Sequence, residues 1–132
     1  KGARLVGKSE LFASSDFVSI HLRLSQRTTG LVGAPEFKVM KRDACLVNTS
    51  RAPIVDQDAL IDALDGGRIA GAALDVFDIE PLPQDHPLRR TRNLLMTPHL
   101  GYVTRDNYRV FYGETLEAVE AWLDGNPVRV IG

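Results

Sequence analysis

Three residues of this chain supply groups suited to proton-coupled acid chemistry: Arg51, Glu80 and His99. Each sits just past an apolar run. The contexts are Leu46-Val47-Asn48-Thr49-Ser50-Arg51, Leu74-Asp75-Val76-Phe77-Asp78-Ile79-Glu80-Pro81 and Leu94-Leu95-Met96-Thr97-Pro98-His99-Leu100-Gly101. A guanidinium offers a planar fork of donors that fits a carboxylate or carbonyl, so Arg51 suits substrate anchoring. An imidazole titrates near neutral pH and suits proton transfer. A carboxylate beside it favours the protonated ring, so Glu80 next to His99 makes a general acid that stays charged near neutral pH. Taken singly each has a plainer reading: a loop ion pair for Arg51, a solvated loop residue for Glu80, a structural hydrogen bond for His99. Asp75 reads equally well as a backbone-bonding turn residue at the end of a buried strand. The joint placement is what favours a site.

The elements that must hold them follow from the pattern of apolar runs. Short runs alternate with helical spacing, the signature of βα units and a mostly parallel sheet. Residues 3–6 read as a short strand, and residues 9–13 as a one- or two-turn helix capped by Ser9. Strands are expected over 17–22, 44–48, 69–76 and 94–97. The run 44–48 is continuously apolar, as when both sheet faces are covered, and the small residues 70–73 suggest a closely packed helix. Helices are expected over 35–41, with Pro35 in the first turn, and over 56–65, with Asp56 as cap and Gly66-Gly67 as stop. Thr104 opens a longer helix to Asp124, whose apolar and aromatic residues call for a large neighbour. In open α/β sheets ligands bind outside the carboxyl ends of the strands, and Arg51, Glu80 and His99 all follow such ends.

Composition narrows the function classes. The 132 residues fit one domain, and 44% are hydrophobic, enough for a core. Lys and Arg total 16 against 17 Asp and Glu, which gives no basic stripe for nucleic acid. Arg89, Arg90 and Arg92 read as a solvated turn. No apolar stretch approaches a membrane span and no signal peptide opens the chain. The single Cys45 excludes an internal disulfide, reads as a buried inert thiol and fits a reducing, cytoplasmic compartment. His21, His86 and His99 lack zinc-type spacing, so no metal is expected; His21 reads as structural and His86 as exposed.

Longer motifs carry a family resemblance. The runs Asp16-Phe17-Val18-Ser19-Ile20-His21 and Thr28-Thr29-Gly30-Leu31-Val32 resemble the D-isomer-specific 2-hydroxyacid dehydrogenases. So do Leu46 through Arg51, Gly71-Ala72-Ala73-Leu74-Asp75-Val76-Phe77 with Glu80-Pro81, and Thr97-Pro98-His99-Leu100-Gly101. The resemblance implies the C-terminal part of a Rossmann-like, doubly wound domain over residues 1–103. It also implies that the helix and tail of residues 104–132 pack on a separate substrate domain. It implies hydride transfer between NAD(H) and a D-2-hydroxy or 2-oxo acid. In that picture Arg51 holds the substrate carboxylate, His99 donates and retakes the proton, and Glu80 pairs with His99. Asp75 contacts the nicotinamide carboxamide; Thr49, Ser50, Arg51, His99 and Gly101 line the nicotinamide end; Leu22, Arg23 and Thr29 lie along the adenosine side. Tyr102, Tyr108 and Tyr112 are candidates to touch the substrate or to pack between domains. A homodimer of the intact protein is expected, and an NAD(H)-binding corepressor-like module is the alternative function.

The pattern departs from the family in three places. Arg23 stands where proline is common, which leaves NADP open beside NAD. Ala52 stands where glycine follows the arginine, so the turn must do without φ > 0 or carry strain. No Gly-x-Gly-x-x-Gly turn occurs, although its glycines bring the backbone against a pyrophosphate. The expectation is therefore a part of a larger dehydrogenase that alone binds NAD poorly and does not turn over.

Overall fold

Four parallel strands, β1 (Phe17–Ile20), β2 (Cys45–Asn48), β3 (Gly71–Leu74) and β4 (Leu94–Met96), lie side by side in chain order. A computed structural model describes residues 2–131 of the chain. Helices α1 (Lys8–Ser14), α2 (Ala34–Val39) and α3 (Gln57–Asp65) belong with the sheet, and α4 (Arg105–Leu123) follows it. The chain divides into two compact units, one ending at His99 and the next beginning at Leu100. The first is a Rossmann-like α/β unit and the second is built on the long C-terminal helix.

The register sets the geometry of everything that follows. Ile20, Asn48, Leu74 and Met96 stand abreast in the last rung of the sheet. The chain therefore leaves all four strands from one edge, and every candidate residue of the first unit except Thr29 follows within six positions of that rung.

Burial alternates with the period of two that a sheet imposes. Val18, Ile20, Leu46, Ala72 and Leu74 join Phe12 of α1, Phe37 of α2 and Leu60, Ala63 and Leu64 of α3 in one core. Phe37 is 2% exposed, and truncating such a phenylalanine to alanine costs about 3–5 kcal/mol. The other face differs from expectation. Phe17 is 72% and Leu95 66% exposed, and Cys45 and Val47 are half-buried. The apolar run of β2 thus has one covered face within these residues, and Cys45 is a half-buried thiol rather than a buried one.

Local signals account for most boundaries. Asp56 accepts from the Ala59 N–H at 3.0 Å and caps α3; Thr104 accepts from the Asn107 N–H at 3.1 Å and caps α4. Gly66 and Gly67 follow α3, and Gly67 adopts φ +63°. Pro35 stands in the first turn of α2, where a missing N–H costs nothing. Two expectations fail. Residues 3–6 form no strand: they find no partner backbone, Leu5 is 99% exposed, and Arg4 is held by Glu10 at 2.7 Å. Ser9 does not cap α1, which begins a residue earlier with Gly7 in the cap position. The small residues of β3 serve a strand as well. A Cβ on Gly71 would meet the Asn93 carbonyl at 3.1 Å, at the entry to β4.

No described helix is long and apolar enough to cross a membrane. In the second unit α4 has no buried residue; Tyr112, Trp122 and Leu123 are 67–70% exposed.

Candidate active site

Glu80 and His99 meet. His99 Nδ1 lies 2.8 Å from Glu80 Oε2, and Glu80 Oε1 accepts from the Phe77 N–H at 2.9 Å. Both carboxylate oxygens are thus engaged. The bond to His99, with the Phe77 N–H second, holds the Glu80 carboxyl below its ordinary value. His99 stands at φ +58°, a left-handed backbone that costs a non-glycine residue about 1–2 kcal/mol. Its N–H donates to the Thr97 carbonyl at 3.0 Å, so the turn and the side-chain pair together fix the ring.

Asp75 follows β3 directly and is 5% exposed. Thr97, one residue past β4, donates its hydroxyl to Asp75 Oδ1, and the Asp75 N–H donates to the Asn48 carbonyl at 3.0 Å. A buried carboxylate at the sheet edge is an acceptor for an amide or hydroxyl donor in the crevice.

Arg51 leaves β2 and hydrogen-bonds neither Glu80 nor His99; its Nη1 donates to the Ser50 carbonyl at 2.7 Å. The Ser50 hydroxyl donates to the Leu22 carbonyl, tying the exit of β2 to that of β1. Ala52 begins a 3-10 turn, Ala52–Ile54. Among described non-glycine residues only Asn93, His99 and Arg129 have positive φ. The loop after Arg51 therefore accommodates alanine without left-handed strain.

Of the remaining candidates, Leu22, Arg23 and Thr49 follow β1 and β2 at the same edge. Leu22, Arg23, Thr29 and Thr49 are exposed. The Arg23 carbonyl accepts from the Thr28 hydroxyl at 2.9 Å, and the Thr29 hydroxyl donates to the Ser25 carbonyl at 2.9 Å. Gly101 is exposed in the second unit. His21 Nε2 lies 2.8 Å from the Ser19 hydroxyl. His86 is half-buried, not exposed, because Nδ1 accepts from the Leu88 N–H and caps the 3-10 turn Pro87–Arg89. Among the described residues no group of three His, Cys, Asp or Glu is placed to hold a metal ion.

Sequence reasoning passed over three residues. Asn48 is 1% exposed; a polar residue closing an apolar strand was the available signal. Thr97 had no signal of its own, since its bond to Asp75 depends on the register between strands. Arg89 is more than a solvated turn. Its Nε and Nη2 donate to the Pro83 and Leu82 carbonyls at 2.7 and 2.6 Å, tying down the proline-rich segment that follows Glu80. That segment borders a cavity of about 450 Å³ lined by Phe77, Glu80, Pro81, Leu82, Arg89, Met96, Thr97 and Pro98.

Comparison with known proteins places this arrangement in a family. Residues 1–101 match the family described as D-isomer specific 2-hydroxyacid dehydrogenase, NAD binding domain. Glyoxylate reductase of Aeropyrum pernix is 48% identical over 105 residues, 80% of this chain and 31% of that protein. Hydroxypyruvate reductase of Blautia hydrogenotrophica is 32% identical over 131 residues, 99% of this chain and 41% of that protein. The crystal structure of a putative D-3-phosphoglycerate dehydrogenase from Ralstonia solanacearum superposes with a TM-score of 0.86 at 40% identity, covering 94% of this chain and 36% of that one. The chain thus spans between 31% and 41% of these relatives' lengths. With its parallel sheet and the residues matched, the chain belongs to the D-isomer-specific 2-hydroxyacid dehydrogenase family, in its NAD-binding domain.

Proposed function

We propose that these residues form the catalytic edge of an oxidoreductase that interconverts a 2-oxo acid and a D-2-hydroxy acid with NAD(H). The observation that carries the reading is the His99–Glu80 pair, 2.8 Å apart at the carboxyl edge of a parallel sheet. Family membership and the reductase names of the relatives support it.

The residues at the sheet edge fit the nicotinamide end of the cofactor. The buried Asp75 carboxylate is an acceptor for a carboxamide N–H, and Thr49 and Ser50 furnish small polar groups past the end of the neighbouring strand β2. Leu22, Arg23 and Thr29 serve the adenosine side, and the Arg23 guanidinium keeps NADP open. The pyrophosphate cradle is not met here, because the sequence has no Gly-x-Gly-x-x-Gly turn. Bound NAD(H) supplies the hydride.

The protein's own residues do the rest. Arg51 anchors the substrate carboxylate with its planar fork. With Nδ1 engaged by Glu80, His99 delivers a proton through Nε2 to the carbonyl oxygen during reduction and takes it back during oxidation. Glu80, at Nδ1, holds the orientation of the ring. β2 and β4 lie two strand spacings apart, roughly 10 Å, a gap that an arginine and a histidine bridge across a small acid.

The same reading assigns residues 104–132, with Tyr102, Tyr108 and Tyr112, to packing against a substrate domain, and the intact protein to a cytoplasmic homodimer. It also expects the 132-residue chain to bind NADH weakly and to be inactive alone. Two assays test this. NADH titration of the chain beside the intact protein should give tight binding only for the latter. A panel of 2-oxo acids that includes glyoxylate and hydroxypyruvate, with NADH and NADPH, should yield turnover by the intact protein. Absence of turnover with every acid would end the proposal.

A further inference from the structure

Asn48 closes an apolar strand with an amide that is 1% exposed, and the proposed chemistry gives it no task. Its Oδ1 accepts from the Ser50 N–H and its Nδ2 donates to the Arg51 carbonyl, each at 3.0 Å. A buried amide is costly unless both ends are bonded. Here both ends are spent on the one turn that carries Arg51. The same turn holds the guanidinium, since Arg51 Nη1 donates to the Ser50 carbonyl at 2.7 Å. The backbone of Asn48 meanwhile belongs to the sheet. It stands between Ile20 and Leu74 in the last rung, and its carbonyl accepts from the Asp75 N–H.

We propose that Asn48 is a positioning residue: its amide references the turn at 49–51 to the rigid sheet and so aims Arg51 at the substrate carboxylate. The inference rests on the reading of Arg51 as substrate anchor. It acts through the turn at 49–51, because both side-chain bonds end there. An aspartate at the position would keep the acceptor for Ser50 but set an oxygen against the Arg51 carbonyl. A serine would be too short to reach that carbonyl.

The test is a double-mutant cycle in the intact enzyme, with KM for the 2-oxo acid, kcat, NADH affinity and thermal melts for each variant. Asn48→Asp and Asn48→Ser should each raise KM by about 10–100-fold, a larger factor than their effect on NADH affinity, since the same turn also carries Ser50. In an Arg51→Gln background, Asn48→Asp should add no further loss in kcat/KM, because coupled residues do not add. Multiplying losses, or Asn48 variants with wild-type KM beside a crippled Arg51→Gln, would overturn the inference and leave the Arg51 reading standing. Failure of both Asn48 variants to fold would make the residue structural and overturn it too. An Arg51→Gln enzyme with unchanged kcat/KM would remove the anchor itself, and the inference with it.

Discussion

Thr97 donates its hydroxyl to Asp75, joining the first residue past β4 to the first residue past β3. The two are 22 positions apart in sequence and become neighbours because Leu74 and Met96 share a rung. Asp75 is buried, so the loss of a donor bears directly on an acceptor shielded from water. Thr97→Val keeps the shape and deletes the hydroxyl. It should lower stability by about 1–3 kcal/mol and weaken NADH binding, read by urea unfolding and fluorescence titration. Unchanged midpoint and affinity would show that the bond carries neither.

The Glu80–His99 pair bears on turnover and, with a definite sign, on stability against pH. Glu80→Gln removes the carboxylate that holds His99 Nδ1, so turnover should fall while NADH affinity holds. Turnover that stays put would sever the pair from the chemistry. The carboxyl of Glu80 is held below its ordinary value, so its stabilising contribution is present above the unfolded value and is lost as pH falls through the lowered one. Melting temperatures of wild type and Glu80→Gln should therefore converge in acid, below about pH 4.

A second carboxylate offers a check away from the site. Glu36 Oε1 lies 2.7 Å from Lys8 Nζ, and Oε2 accepts from the Gly33 N–H at 2.9 Å at the start of α2. Burial pushes this carboxyl up, but Lys8 and the Gly33 N–H together outweigh it and leave it below the ordinary value. Glu36→Gln should cost about 1 kcal/mol at neutral pH. That difference should fade as pH falls through the lowered value, and a difference constant with pH would contradict the account.

These residues show what a sequence makes legible. Asp56 and Thr104 could be read as caps because a cap bonds within three residues of itself. The parallel sheet was readable from apolar runs alternating with helices, and Glu80 with His99 from their shared position beyond strand ends. The strand expected at residues 3–6 failed because apolar spacing says nothing about whether partner backbone exists. The half-exposed Cys45 failed for a related reason: the apolar run of β2 implies two covers, and one is present among the described residues. Asn48 and Thr97 act across rungs, and register is a property of the folded sheet rather than of either segment.

The most direct measurement is NADH oxidation by the intact protein with a 2-oxo acid, comparing wild type with His99→Gln. A positioned general acid contributes about 10²–10⁴-fold, so turnover should fall by that factor while NADH affinity holds. Turnover unchanged by the substitution would remove His99 from the mechanism and contradict the account at its centre.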